Sequence, residues 1–195
     1  MSASARAEPV PYVSLKSVYL AAKHLPDRML HRRRREEARQ RILQLGRVQN
    51  ILVVCYGNVC RSPYMEAVLR RALPAVNVVS AGFVGPGRPV PEHSLILAGQ
   101  RGLNLAEFRS RAISRVNPAG YDLVIVMDTT QARHLTETFG VWPARIVVAG
   151  DLDPTPGARR AIHDPWGQSM EIFGSTFDRL DRCAATLISL IRRAR

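Results

Sequence analysis

No run of ~18 or more apolar residues, the length that a membrane-spanning helix requires, appears in this chain of 195 residues, so no membrane span is implied. Cysteine is scarce. There are three, at 55, 60 and 183, an odd number with two close together, which argues against a disulfide framework and for reduced, reactive thiols. Lysine is limited to Lys16 and Lys23. Those two residues also interrupt the mildly apolar stretch from Tyr12 to Leu25, which lacks a small-residue cleavage site and so does not read as a secretory signal; the expected location is cytoplasmic. The histidines His93, His134 and His163 show no paired metal-ligand spacing, so neither a metal nor another cofactor is expected. No internal repeat or low-complexity tract is present, and 46% hydrophobic residues suffice for one core.

Acidic residues are outnumbered, 16 against 28 basic, for a formal charge of +12. The excess is uneven: residues 1–49 hold eleven Lys/Arg and four Asp/Glu. Its sharpest element is Arg32-Arg33-Arg34-Arg35, followed by Glu36-Glu37 and a helix-compatible Ala38 to Leu45 that closes at Gly46. The default reading of residues 1–48 is a basic extension, a solvated helical arm with a flexible tail. Sharper readings are docking to an anionic membrane surface or to an acidic partner. Nucleic acid is disfavoured, since no aromatic platform interleaves the arginines.

From residue 49 onward, near-continuous β-branched runs alternate with helix-length segments. Strands are expected at Ile51–Val54, Val76–Ser80, Leu123–Met127 and Arg145–Val148, reading as parallel strands buried on both faces. Helices are expected at Pro63–Leu73, Pro91–Arg101, Gln131–Phe139 and Ser175–Arg193. The pattern predicts an α/β fold: one domain over 49–195, a doubly wound, four-stranded parallel sheet flanked by helices. Ligands of such sheets bind beyond the carboxyl ends of the strands. The Pro-, Gly- and Asp-rich segment 150–167 is a long loop of the kind that carries function.

The most informative segment is Cys55-Tyr56-Gly57-Asn58-Val59-Cys60-Arg61-Ser62-Pro63, set between the first strand and the first helix of the domain. A loop curling into a helix N-terminus gathers unpaired N–H groups on one point and favours an anion there. Cys55 is therefore the expected thiolate nucleophile. Arg61 supplies a planar fork that grips two phosphoryl oxygens, which lysine does not reproduce. Gly57 and Asn58 tolerate the left-handed conformations that turn amides inward. Ser62 either caps the helix or donates to the thiolate, and Pro63 fits a first helical turn.

At these residues the chain resembles the low-molecular-weight protein tyrosine phosphatases, whose signature is a Cys-x-Gly-Asn-x-Cys-Arg-Ser-Pro loop near the start of the domain. The likeness continues through Ser80-Ala81-Gly82, Met127-Asp128 and His163-Asp164-Pro165-Trp166, and covers about residues 49–195. It implies a protein-tyrosine phosphatase working through a phosphocysteine, with Cys55 and Arg61 catalytic. Asp164 is then the general acid, and Trp166 an aromatic wall of the substrate cleft. The loop residues Tyr56, Gly57, Asn58, Val59, Cys60 and Ser62 would bind substrate. A phosphotyrosine protein is the implied partner, with a bacterial tyrosine kinase as a candidate. Read alone, Asp164 before proline equally initiates a turn. The rival acid Asp128 reads as strand exit and helix cap. Cys183 reads as a buried hydrophobe. Cys60 is either packing or, as in resembling proteins, a resolving thiol for Cys55.

One departure concerns Glu107-Phe108-Arg109-Ser110-Arg111, where the family commonly has a histidine that braces the loop asparagine. Phe108 donates no such bond, which leaves Ser80 as the expected brace of Asn58. Three alternatives to a tyrosine phosphatase carry over. A thiol-coupled arsenate reductase needs relay cysteines, and only Cys183 lies outside the loop. A protein-arginine phosphatase resembles this loop but has threonine at the place of Val59. A non-catalytic phosphate-binding adaptor needs neither nucleophile nor acid.

Overall fold

The computed structural model describes residues 25–155 and 160–194. The apolar stretch that begins at Tyr12 therefore lies, but for Leu25, outside the described residues. In chain order the elements are α1 (Leu25–Gln44), β1 (Asn50–Cys55), α2 (Arg61–Ala72), β2 (Asn77–Gly82), α3 (Glu92–Gln100), β3 (Leu123–Val126), α4 (Thr129–Phe139), β4 (Ile146–Val148) and α5 (Met170–Arg193). Short 3-10 turns fill several connections, one of them Ala149–Leu152 directly after β4. The four strands are all parallel in the order β2-β1-β3-β4. The chain enters at β1, adds β2 on one side and then crosses to β3 on the other. The switch point thus lies beside β1, and the loop after Cys55 opens there.

Alternation along each strand divides the core. Ile51, Val53, Leu123, Ile125 and Val147 face α1, α2, α3 and α5, while Leu52, Val54, Val124, Val126, Ile146 and Val148 face α4. On the first face Tyr64 of α2 stacks on Phe177 of α5 with centroids 3.9 Å apart, and its hydroxyl donates to Asp181 (2.7 Å).

Element boundaries shift for identifiable reasons. β2 runs to Gly82, not Ser80, because it stays paired with β1 until Gly82 sits opposite Cys55. A side chain at Gly82 would lie 2.7 Å from the Asn58 backbone nitrogen, so the close approach of strand and loop needs glycine there. α5 begins at Met170, five residues early, because Phe173 and Phe177 both turn into the core while Gly174 faces open space. α2 begins at Arg61, with Cys60 as its cap residue.

The largest correction concerns the basic extension. α1 is not a solvated arm. It runs through the arginine stretch, buries Ala38 and Ile42 in the same apolar cluster as α5, and donates from Arg41 Nη1 to the carbonyl of Ile146 (2.9 Å). The arginine run is split by the helix: Arg32 and Arg33 are exposed, whereas Arg34 turns inward to Asp151. Local pairs Arg33–Glu37 (2.8 Å) and Arg39–Glu36 (3.6 Å) relieve the like-charge crowding along its outer side.

Candidate active site

Cys55 ends β1 with its side chain on the α2 face, and the chain then reverses through Tyr56–Cys60 into α2. Asn58 takes the left-handed conformation (φ 51°), the single positive φ at a non-glycine residue among the described ones. That twist aims its backbone N–H at Cys55 Sγ, 3.2 Å away, and Ser62 Oγ donates to the same sulfur at 3.0 Å. Ser62 thus makes the thiolate bond and not a helix cap. Two donors on one sulfur stabilise its anion.

Behind the sulfur lies a chain of buried hydrogen bonds. Asn58 Nδ2 donates to Ser62 Oγ (2.9 Å) and to Ser80 Oγ (2.8 Å), and its Oδ1 accepts from the Arg111 N–H (2.7 Å). Ser80 Oγ in turn donates to Glu66 Oε2 (2.6 Å), which also faces Arg111 Nη1 (3.3 Å). Every polar atom of the Asn58 side chain is engaged, as a fully buried amide requires. Phe108 has a separate place, half-buried with its ring 5.5 Å from the Arg111 guanidinium.

Arg61, the first residue of α2, is 4% exposed. Its Nη1 donates to the Ile162 carbonyl (3.0 Å) and its Nη2 pairs with Asp164 Oδ2. Its Nε is buried without a hydrogen-bond partner among the described residues. An orphaned buried cationic donor beside a cysteine sulfur suits an oxyanion, one of whose oxygens would accept from it.

A cavity of about 130 Å³ is lined by Cys55, Tyr56, Gly57, Val59, Cys60, Arg61, Val84, Arg88, Asp164 and Trp166. The structure therefore brings together residues from three loops, with Cys55 buried and Tyr56 and Trp166 exposed. Asn58 and Ser62 do not line this cavity; they stand behind it. A larger cavity of about 470 Å³ lies on the other side of the Arg61–Asp164 pair, where Tyr56, Asp128 and His163 meet. Asp128 caps α4 there, accepting from the Gln131 N–H at 2.9 Å, which is its structural role.

Burial, with the charge of nearby Cys55 adding to it, pushes the Cys60 thiol up to about 12, so Cys60 stays protonated. Burial likewise pushes Cys183 up to about 12. Of the two loop cysteines, Cys55 is the one on which the Asn58 N–H and the Ser62 hydroxyl converge.

Sequence reasoning missed Arg88. Its Nη2 donates to the Gly57 carbonyl (2.9 Å) and its Nε to Gly85 (2.8 Å), and its guanidinium carbon lies 5.9 Å from the Trp166 ring centroid. It joins the loop after β2 to both other loops, a link worth ~0.5–1 kcal/mol from the cation–π contact at an exposed site. The signal was present: Gly85-Pro86-Gly87-Arg88-Pro89 is a turn-rich segment beyond the carboxyl end of β2.

Residues 50–195 match the family model described as low molecular weight phosphotyrosine protein phosphatase. The low molecular weight protein-tyrosine-phosphatase Wzb of Escherichia coli K12 is 33% identical over 136 residues, 69% of this chain and 90% of that protein. Among solved structures, Vibrio vulnificus Wzb in complex with benzylphosphonate superposes with a TM-score of 0.65 at 28% identity, covering 73% of this chain and 98% of that one. The YwlE arginine phosphatase of Geobacillus stearothermophilus gives a TM-score of 0.66 at 27% identity, over 74% and 94% of the two chains.

Proposed function

Because this chain belongs to the low molecular weight phosphotyrosine protein phosphatase family, we propose that Cys55, Arg61 and Asp164 carry out phosphotyrosine hydrolysis in two steps. The observation that carries this reading is the Cys55 sulfur at a cavity floor, held by two donors and faced by a guanidinium with one unpartnered buried N–H. In the first step the Cys55 thiolate attacks phosphorus in line with the scissile bond. The S–P bond forms, the P–O bond to the aryl group breaks, and Asp164 gives its proton to the departing phenolate. Arg61 and the loop amides hold the equatorial oxygens, where charge is spread in the transition state. This follows from substrate binding, when phosphoryl oxygens replace the Asp164 carboxylate on the Arg61 fork and the freed carboxyl, having taken up a proton from solvent, stands beside the leaving group. In the second step water attacks phosphocysteine, Asp164 takes its proton, and phosphate and the thiolate are released.

Tyr56 and Trp166, exposed on two sides of the cavity, suit an aromatic ring between them. The substrate is accordingly a phosphotyrosine protein, with a bacterial tyrosine kinase as the finer candidate. An arsenate reductase is disfavoured, because the buried and protonated Cys183 cannot relay a disulfide outward. An adaptor is disfavoured by the presence of nucleophile and acid together. The catalytic domain is taken as 49–195, and a cytoplasmic location is part of the same proposal, supported by three free cysteines. No described helix is long and apolar enough to cross a membrane. Of the arginine run, Arg32 and Arg33 are the residues exposed to an acidic partner or anionic membrane surface, while Arg34 and Arg35 are partly buried.

The deciding experiment is turnover of phenyl phosphate and of phosphotyrosine peptides by Cys55→Ser, Arg61→Lys and Asp164→Ala. The first two should lose at least about a hundredfold in kcat, each removing a group used in the transition state. Asp164→Ala should lose far more on phenyl phosphate than on an ester whose leaving group is already a stable anion. Near-normal turnover by Cys55→Ser would overturn the mechanism, and equal losses in Asp164→Ala would move the acid role to Asp128.

A further inference from the structure

We propose that α1 is a built-in brace for the loop that carries Asp164, and that Arg34 is its positioning residue, acting through Asp151 and Arg160. The inference rests on Asp164 being the general acid. It starts from an asymmetry: the family match begins at residue 50, yet α1 lies earlier in the chain and is packed into the domain. Ala38 and Ile42 share the apolar cluster of Leu180, Ala184 and Leu187 on α5, and Arg41 binds the carbonyls of Pro143 (3.4 Å) and Ile146 (2.9 Å) at the start of β4. The helix is thereby fixed against α5 and β4, the strand after which the segment leading to Asp164 begins.

Its inward polar side chain meets that loop at its root. Asp151, in the 3-10 turn after β4, is 3% exposed and is faced from two sides. From the loop, Arg160 Nε lies 2.8 and 2.9 Å from the two carboxylate oxygens and Nη2 lies 2.5 Å from Oδ2; from α1, Arg34 Nε lies 3.8 Å from Oδ1. A carboxylate withdrawn from water demands compensation by charge and hydrogen bonds, and losing one partner is felt by the other. Burial and the neighbouring Arg34 hold the adjacent His31 below its ordinary value. The ion pair that α1 makes with Asp151 is that of Arg34.

From Arg160 to Asp164 the chain has little freedom. Gly150 sits so close to Arg160 that a side chain there would lie 1.9 Å from the Arg160 carbonyl oxygen. Arg179 of α5 donates from Nη1 to the Ala161 carbonyl (3.0 Å) and from Nε to Asp153 (3.0 Å). Ile162 donates its N–H to Met127 (2.9 Å) and accepts from Arg61 (3.0 Å). Residues 160, 161 and 162 are each tied to a different element, and Asp164 follows two positions later. The position of Asp164 is thus set by these ties together, and the Arg160–Asp151 pair is the one that α1 reaches. General acid transfer works only at roughly 2.6–3.2 Å, and a misplacement of about 1 Å can cost ~10²-fold.

The test uses the full chain with Arg34→Gln, Arg34→Lys and Asp151→Asn, read on phenyl phosphate and on 2,4-dinitrophenyl phosphate, whose leaving group needs no proton. Thermal midpoints are taken alongside. Arg34→Gln should lower kcat on phenyl phosphate by about fivefold with less than about twofold loss on the dinitrophenyl ester, and Arg34→Lys should recover most of it. Asp151→Asn should show the same selectivity. A purely structural role would lower both substrates equally, or lower only the thermal midpoint, and either result overturns the proposal. Should Arg34→Gln fail to fold, Asp151→Asn decides by the same ratio. Asp164→Ala is the reference: if it shows no leaving-group selectivity, the acid assignment fails, whereas selectivity in Asp164→Ala without any in Arg34→Gln and Asp151→Asn removes the brace alone.

Discussion

Asn58 donates from Nδ2 to Ser80 Oγ at 2.8 Å, and this one bond joins the loop that holds Cys55 to the strand beside it. Through Ser80 the load passes to Glu66, and through the Asn58 carbonyl oxygen to the backbone of Arg111. The relationship explains how a loop with Phe108 in place of a histidine keeps a left-handed asparagine in place. Removing Ser80 Oγ would leave a buried Nδ2 hydrogen and a Glu66 oxygen each short of a partner, at a cost of about 1–3 kcal/mol. Ser80→Ala is therefore expected to lower kcat on phenyl phosphate by about tenfold and to lower the melting temperature. Because the two residues act as a unit, Asn58→Ala and the double variant should be similarly impaired. Additive losses in the double-mutant cycle would show that the two side chains work independently.

Reactivity of the thiols should be sharply ranked. With Cys60 and Cys183 both pushed up to about 12, brief iodoacetate treatment near pH 7 should modify Cys55 almost alone, as read by peptide mass spectrometry. Mild peroxide tests the second half of the reading. Closeness to Cys55 lets Cys60 condense with a Cys55 sulfenic acid, forming the S–S bond and releasing water, so wild type should recover with thiol while Cys60→Ser should not. Equal recovery by both would return Cys60 to a packing role.

Val59 is 4% exposed and lines the cavity beside Cys55. An apolar side chain there suits an aryl ester and offers no hydrogen bond to a guanidino group. Val59→Thr should raise the ratio of kcat/KM for phosphoarginine over phosphotyrosine by about threefold or more, an effect of the order of one hydrogen bond. An unchanged ratio would remove Val59 as a selector between the two phosphatase chemistries.

Acid should destabilise the fold in two stages. His31 lies below its ordinary 6.5, chiefly through burial, so the unfolded chain takes up its proton first and stability falls as pH drops below 6.5 toward the folded value. Asp153 follows. Burial works to raise its carboxyl, but hydrogen bonds from Arg182, the Thr155 N–H and Arg179 outweigh it and hold it below the ordinary 3.8. Its contribution is present above 3.8 and is lost as pH falls from there through the folded value. Urea midpoints measured from pH 7.5 to 3 should fall monotonically, and His31→Leu should flatten the limb just below pH 6.5. A stability that rises on acidification through that range would contradict the sign for His31.

Much of the candidate site was legible because its logic is local. A strand end, five loop residues and a helix start are contiguous, so backbone geometry alone gathers Cys55, Asn58, Arg61 and Ser62, and parallel strands buried on both faces announce themselves as β-branched runs. Arg88 was not legible from its own neighbourhood, since its partners Gly57 and Trp166 lie 31 and 78 positions away. The extension was misread for the same reason: four consecutive arginines look uniform in sequence, but a helix turns about 100° per residue and sends Arg33 to water and Arg34 to Asp151.

The sequence by itself determined the parallel α/β sheet, the position of the Cys55 loop at a strand's carboxyl end, and Cys55 and Arg61 as the candidates for nucleophile and phosphate grip, because each depends on residues within a few positions of one another. Only the tertiary structure decided which groups brace Asn58, which residues wall the cavity and whether the basic helix is arm or core. Those outcomes depend on burial, where a carboxylate such as Asp151 must recruit whatever cation folding brings near it, and no local pattern records which element will supply that cation.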